Sequence, residues 1–390
     1  MSAFIPASPR DLTPQWITDA MRAAGALPAG RVVDLEVTSL TDGGTGFTGD
    51  TVRVRLSAEG GDDDVPETVI AKFPTVDHQT RGMLEQFDAY AREIRFYRHF
   101  AHRMPCRLAT FLGADFDEKG ARRTGPVMSK LVDVLPDRLQ LAITADVTKF
   151  MRATTRRYAL LIEDLGADTI VYDMAAPPSS DQLAAALEVL ATVHAAFWGD
   201  ESIIGDAAFR PIVTTTPGLY QTVGRKRCLT LAKTRWEEWL TPDHLALVND
   251  SLDRFRSDVA RLNQPITMIH GDPRSDNILY RSDGQVVLID WALVGYANPA
   301  FDVGYLLSSS LLTDQMHLRP ALVEGYEAAL AAHGVEFDGA ELRAGIDSTY
   351  RALAVQQLMS IPVLNNESYG PDAMYDLWFP RILAGLDAGW

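Results

Sequence analysis

The sequence predicts an α+β chain in two lobes, the first rich in β-strand and the second mainly helical. Three observations predict it. Segments of strand character crowd the first 165 positions, segments of helical period fill most of residues 166–390, and one short β island interrupts them at residues 266–289. At 390 residues the chain can hold two or three domain-sized units around a large core. The lobes are expected at residues 1–165 and 166–390.

Thr13-Pro14 opens the first helix, a cap residue followed by proline at the first helical position, where no backbone bond is lost. Trp16, Ile17, Ala20 and Met21 form its apolar face, and Gly25 ends it. Strands follow over residues 32–40, 51–57 and 68–73, the first two flanking the glycine-rich run DGGTGFTGD at residues 42–50. One helix is expected over about residues 80–100, with Phe87, Tyr90, Ile94 and Tyr97 on one side. Residues 108–116 and 158–162 read as two more strands, which makes the first lobe a twisted antiparallel sheet carrying one important helix. Residues 125–157 are weakly patterned and read as an insertion.

In the second lobe Ser179 and Gln182 can form a capping box for a helix running through Trp198. Further helices are expected over residues 229–240, 244–262, 313–333 and 339–359. Repeats and low-complexity linkers are absent from the sequence.

Composition narrows the function. Hydrophobic content of 47% and charged content of 23% fit a globular chain. A net charge of −16 argues against a general nucleic-acid binder and disfavours an acidic membrane surface. It serves solubility, or a field favouring a cationic or neutral small molecule. The two cysteines, Cys106 and Cys228, form no CxxC pattern and fit a reducing compartment. The start lacks the basic-then-apolar order of a signal peptide, and apolar runs stay well short of the ~18 residues of a membrane span. A cytoplasmic protein without membrane partners is expected.

The β island carries the chemistry. Met268-Ile269-His270-Gly271-Asp272-Pro273-Arg274-Ser275-Asp276-Asn277-Ile278-Leu279-Tyr280 runs through a Ser282-Asp283-Gly284 turn into Val286-Val287-Leu288-Ile289-Asp290-Trp291. A strand delivers an Asp, an Asn follows, and a hairpin returns a second strand ending in Asp. Phosphoryl transfer needs such groups: one carboxylate to take or orient the acceptor's proton, and an amide oxygen with a second carboxylate to hold Mg²⁺ across a nucleotide's phosphates. H-G-D-x-x-x-x-N arises by chance about once in 10⁵ positions at average residue frequencies.

These residues resemble the aminoglycoside phosphotransferase and choline kinase group, relatives of protein kinases. HGDPRSDNILY together with Val193-His194-Ala195-Ala196-Phe197-Trp198 resembles its ecdysteroid-kinase-like branch more closely. The resemblance implies a two-lobed protein-kinase-like fold with ATP as phosphate donor, GTP remaining open. It implies Asp272 as catalytic base, Asn277 and Asp290 as Mg²⁺ ligands, and His270 and Asp302 as supports of the loop. Asp302 also reads as a plain helix cap. Lys72 matches the strand lysine that contacts the α- and β-phosphates. Glu93 is its candidate partner, because an inward lysine on an apolar strand needs a carboxylate. Gly46, Phe47 and Thr48 are candidate phosphate contacts. Leu161-Ile162-Glu163-Asp164-Leu165 resembles the hinge whose backbone pairs with adenine, which points to Glu163 and Leu165. His194, on an apolar helix, reads as a core histidine.

Gly271 stands where protein kinases carry an arginine, and only about a dozen residues separate Asp290 from Asp302, too few for a protein-docking segment. The expected acceptor is therefore the hydroxyl of a small molecule. By resemblance its site draws on Trp291, Tyr296, Tyr350, Tyr369, Tyr375, Trp378 and Phe379, with Glu367 and Asp372 nearby; helix packing is the other reading of these aromatics. A fairly apolar hydroxylated acceptor is the leading expectation, aminoglycoside modification is the alternative, and a nucleotide-binding module without phosphotransfer is the alternative of another class.

Overall fold

The computed structural model describes residues 4–40, 49–60, 65–118, 133–144, 153–166, 168–211, 216–231, 236–237, 239–364 and 374–390. Chain contacts divide it into two units. The first comprises Met1–Arg103, Leu108–Arg123 and Val147–Thr169; the second comprises Met104–Arg107, Thr124–Asp146 and Ile170–Trp390. The architecture is α+β, with a sheet-rich first unit and a largely helical second.

The first unit opens with α1 (Pro14–Ala23), whose Thr13 side chain accepts the Trp16 N–H as its cap. Then come β1 (Arg31–Ser39), β2 (Gly49–Glu59), β3 (Thr68–Pro74), α2 (His78–Gln86), α3 (Ala89–His99), β4 (Phe111–Phe116) and β5 (Tyr158–Glu163). The strands form one antiparallel sheet in the order β1-β2-β3-β5-β4. Side chains alternate between faces along a strand. In β3, Val69, Ala71 and Phe73 are buried in one core with Trp16, Ile17 and Met21 of α1. The same alternation turns Lys72 to the opposite face.

The single helix expected over residues 80–100 is two helices. The chain breaks at Asp88, which is left-handed at φ 56°. Its buried carboxylate meets Arg95 at 2.6 Å and Arg156 at 3.6 Å. Asp tolerates this conformation better than most residues, and two cations stabilise it there. Phe87, expected on the apolar face, is exposed as a result.

In the second unit α4 (Asp137–Thr144) lies within the expected insertion, and β6 (Thr169–Val171) begins at the last residue of the first unit. They are followed by α5 (Ser180–Ala196), α6 (Pro217–Leu231), α7 (Pro242–Leu262), β7 (Thr267–Ile269), β8 (Ile278–Arg281), β9 (Val286–Leu288), β10 (Gly295–Ala297), α8 (Ala300–Ser310), α9 (Arg319–Ala332), α10 (Gly339–Leu364) and α11 (Met374–Asp387). The Ser179–Gln182 capping box forms at the start of α5. Of the helix expected over residues 229–240, residues 232–235 and 238 lie outside the described residues; α6 begins at Pro217 and ends at Leu231, and Trp236, Glu237 and Trp239 lie in turns. Proline at a first helical position is the stronger signal. Likewise residues 313–333 split into a 3₁₀ turn (Thr313–Leu318) and α9, which has a proline in its first turn.

Helices α7 and α10 are joined by the buried Asp258, which receives Ser348 Oγ at 2.8 Å and Arg351 at 2.7 and 2.8 Å. Helix α8 runs close against α10 at Gly304, where an added Cβ would lie 2.8 Å from the Thr349 side chain. The β island is a hairpin of β8 and β9, plus a second antiparallel pair formed by β7 with β10. Among the described residues no helix is long and apolar enough to cross a membrane.

Candidate active site

The sequence-predicted residues fall in both units. In the first, the pleat that aims Lys72 away from α1 brings it to α3, where its Nζ lies 2.7 Å from Glu93 Oε1. The lysine side chain is 18% exposed and the glutamate 6%. A charge this deep requires its counter-ion. Helix α3 is itself fastened: Arg92 donates to Phe87 O, Arg98 donates to Ala114 O, and Arg95 pairs with Asp88.

Glu163 ends β5. Its N–H donates to Thr110 O at 2.9 Å, and its Oε2 accepts the Thr110 N–H at 2.9 Å and hydroxyl at 2.6 Å. The next residue, Asp164, accepts Arg53 Nε at 2.5 Å and the Gly166 N–H at 3.1 Å. Leu165 is buried. Gly46, Phe47 and Thr48 lie outside the described residues.

In the second unit β7 ends at Ile269 and the chain turns at once. Gly271 adopts φ +85°, a left-handed conformation that favours glycine. The turn points two successive N–H groups the same way, and Asp302 receives both: His270 N–H on Oδ2 at 2.6 Å and Gly271 N–H on Oδ1 at 3.0 Å. Asp302 sits in the first turn of α8, yet its carboxylate serves the loop. Behind it, His194 Nε2 lies 3.3 Å from Oδ2 and His194 Nδ1 lies 2.8 Å from the Tyr326 hydroxyl. One assignment satisfies all three groups: Nε2–H donates to the carboxylate, and Nδ1 accepts the tyrosine proton. His194 is thus a fully buried core histidine, and it braces the loop from behind.

His270 also holds the loop. Nε2 reaches Ile289 O at 2.9 Å, Nδ1 accepts the Asp272 N–H at 3.3 Å, and the ring leans on Trp291 at 4.6 Å between centroids. Asp272 is buried and gripped at both oxygens. Tyr305 OH donates to Oδ1 at 2.6 Å, and Asn277 Nδ2 donates to Oδ2 at 3.2 Å and to the Asp272 carbonyl at 2.9 Å. Burial pushes the Asp272 carboxyl above the usual carboxylate range; Arg274, Tyr305 and His270 pull it down, and Asp290 adds to the rise. Arg274 Nε stands 3.8 Å from Asp272 and 3.5 Å from Asp276. Burial alone would lower its pKa, but these carboxylates hold it above its ordinary value.

The donor set fits a hard divalent cation. Asn277 spends its amide nitrogen on Asp272, so the amide oxygen is the atom it could offer to a cation. Asp290, half-buried at φ 61°, follows the end of β9 by two residues, and its neighbour Ile289 donates its N–H to Asn277 O at 2.9 Å.

Tyr305, Arg274 and the bracing role of His194 were not anticipated. Tyr305 follows Asp302 by three residues, one helical turn, so the signal was available once Asp302 was assigned to the loop. The aromatics assigned to an acceptor site divide differently. Trp291, Tyr350, Trp378 and Phe379 are core residues, each at most 4% exposed, and Tyr296 is half-buried. Glu367, Tyr369, Asp372 and the side chain of Tyr375 lie outside the described residues.

No curated protein matches the chain. Among solved structures, choline kinase LicA from Streptococcus pneumoniae is 12% identical, with a TM-score of 0.48 over 92% of this chain and 94% of that one. Macrolide 2'-phosphotransferase MphH from Brachybacterium faecium is 14% identical, with a TM-score of 0.47 over 95% and 98%. Plasmodium vivax ethanolamine kinase is 12% identical, with a TM-score of 0.48 over 90% and 82%. The model of the ecdysteroid kinase-like family matches residues 43–335, a span holding Lys72, Glu93, Asp302 and the hydrogen-bond network around Asp272. The chain belongs to the ecdysteroid kinase-like family.

Proposed function

We propose that the chain is a Mg-ATP-dependent kinase that phosphorylates a hydroxyl of a small, fairly apolar acceptor. The observation that carries this reading is the grip on Asp272, a buried carboxylate held at both oxygens on a loop whose backbone is tied to Asp302. A carboxylate raised by burial is a better proton acceptor than one in water, as a general base requires.

In this mechanism residues 1–165 bind the nucleotide and residues 166–390 supply the catalytic loop and the acceptor site. Lys72, oriented by Glu93, contacts the α- and β-phosphates; Gly46, Phe47 and Thr48 cover the phosphates; the backbone at Glu163 and Leu165 pairs with the adenine edge. Asp272 orients the acceptor hydroxyl and takes its proton as the oxygen attacks the γ-phosphorus. A new O–P bond forms, the bond from the γ-phosphorus to the β–γ bridging oxygen breaks, and ADP leaves. Asn277 and Asp290 would hold Mg²⁺, which neutralises phosphate charge during transfer. His270 and Asp302 keep the loop in shape.

The family likeness supports a hydroxylated, fairly apolar acceptor over an aminoglycoside. The test is ADP release from Mg-ATP against sterols, amino alcohols, aminoglycosides and sugars, with wild type beside Asp272→Asn. The expected result is a sterol-class signal in wild type that drops by about two orders of magnitude or more in the variant. Equal turnover in the two chains would remove Asp272 as base. A signal with aminoglycosides alone would replace the acceptor class. Thermal stabilisation by Mg-ATP with no ADP release from any acceptor would favour the nucleotide-binding module.

A further inference from the structure

Tyr305 lies one turn beyond Asp302 on α8, and its hydroxyl donates to Asp272 Oδ1 at 2.6 Å. Its ring packs against Trp378 of α11, at 4.8 Å between centroids, and against Phe301 at 5.9 Å. Trp378 is in turn fixed by donating from Nε1 to Ser308 Oγ at 3.1 Å, while the Ser308 hydroxyl donates to Tyr305 O at 3.0 Å. The tyrosine is therefore clamped from behind by a fully packed tryptophan, and its one polar atom points at the proposed base.

An aspartate's terminal torsion is soft and broadly two-fold, so backbone placement alone leaves the carboxylate plane free to turn. Here Asn277 holds Oδ2 and Tyr305 holds Oδ1. Rotation about the torsion must break both bonds. Each carboxylate oxygen accepts about two hydrogen bonds, so a lone pair stays available while the plane is fixed. Arg274 Nε, at 3.8 Å, is too far to share this duty by a hydrogen bond.

We propose that Tyr305, backed by Trp378, is the positioning residue that sets the orientation in which Asp272 meets the acceptor hydroxyl. This rests on the kinase reading above. Tyr305 itself exchanges no proton with the substrate; it acts through Asp272. Loss of such orientation is costly, since a reacting group misplaced by about 1 Å can slow a reaction roughly 100-fold.

The experiment is a double-mutant cycle on the full chain: wild type, Tyr305→Phe, Asp272→Asn and the double variant. The readout is single-turnover ADP formation from Mg-ATP with enzyme in excess, water serving as the acceptor, so no identified substrate is needed. Tyr305→Phe keeps the ring and its packing and removes only the hydroxyl. It is expected to slow the reaction roughly tenfold or more while the half-saturating ATP concentration stays within about twofold. In the Asp272→Asn background the same change should alter the rate by less than about twofold, because the group it positions is gone.

A Tyr305→Phe rate equal to wild type, or the same slowing in both backgrounds, overturns the proposal. If Asp272→Asn is slow and Tyr305→Phe is not, only the Tyr305 role fails; if Asp272→Asn matches wild type, the base assignment falls and takes Tyr305 with it. Trp378→Phe guards against a folding artefact. It drops the Ser308 bond but leaves an aromatic ring, and an intermediate slowing confined to the Asp272 background supports the proposal. Slowing that persists with Asn at position 272 counts against it.

Discussion

The two regions that carry the proposed chemistry are built on different plans. In the first unit Lys72 is oriented by one ion pair, with the lysine side chain 18% exposed, and the rigidity sits one layer back in the arginine contacts of α3. In the second unit the loop around Asp272 is a closed network in which Asp302, His194, His270, Asn277 and Tyr305 each bond at least one other member or the loop backbone. The contrast follows from the tasks proposed for them. A lysine that contacts phosphates needs reach and charge, whereas a base must hold one orientation. It also predicts where damage spreads: locally in the first unit, through the whole loop in the second.

Asp302→Ala should do the most harm. It strips acceptors from two successive buried N–H groups and leaves His194 Nε2 facing the gap, which should cost about 3–5 kcal/mol. Denaturant unfolding measures the loss, and ADP release should fall at least as far as for Asp272→Asn. Asp302→Asn keeps one acceptor oxygen and should lose about half as much stability. A variant within about 0.5 kcal/mol of wild type would mean that the loop does not depend on this carboxylate.

Gly271→Ala comes next. At φ +85° a Cβ is strained whatever the space around it, at a cost of about 1–2 kcal/mol. The strain lies between the residue whose ring receives the Asp272 N–H and Asp272 itself, so turnover should fall with stability. A variant of wild-type stability would show that the loop can adopt another backbone path.

How much of this was legible follows from which contacts are local in sequence. Asp272, Asn277 and Asp290 lie on one loop and one tight hairpin, so spacing singled them out, while the roles proposed for them came from the family resemblance. Lys72 and Glu93 are 21 residues apart, yet strand alternation and helix period each orient one partner, and the structure joins them. The break at Asp88 was not legible, because its left-handed backbone is stabilised by Arg156, which lies far along the chain. The start of α6 is written in Thr216-Pro217, a signal that the expectation of a helix over residues 229–240 did not use. Tyr305 depends on which side of α8 meets the loop, a fact of tertiary packing that only Asp302 betrays. For the aromatics of the C-terminal helices two readings stood, acceptor site and helix packing, and the burial of Trp378 and Phe379 favours packing.

Glu93→Gln sharpens the contrast from the first unit. The amide can still accept from Lys72 but no longer neutralises it, a change worth about 1 kcal/mol at a site that is partly open to water. Stability should fall less than in either loop variant. The half-saturating concentration of Mg-ATP should rise roughly tenfold, because a lysine without its counter-ion no longer holds one position. A change in turnover with unaltered ATP dependence would contradict the local plan assigned to this unit.

Tyr326→Phe makes the smallest change and tests how far the network extends. The tyrosine hydroxyl is buried and donates to His194 Nδ1 at 2.8 Å, while the other ring nitrogen serves Asp302. Removing the hydroxyl leaves the ring in place beside His194, at 5.9 Å between centroids, and leaves one imidazole nitrogen without that donor. The stability cost should be about 1 kcal/mol, the net value of one buried hydrogen bond. If bracing passes from α9 through His194 to Asp302, ADP release should fall by roughly two- to threefold, and the effect should vanish in an Asp302→Asn background. An equal loss in both backgrounds would place the end of the network at Asp302 and make His194 a packing residue alone.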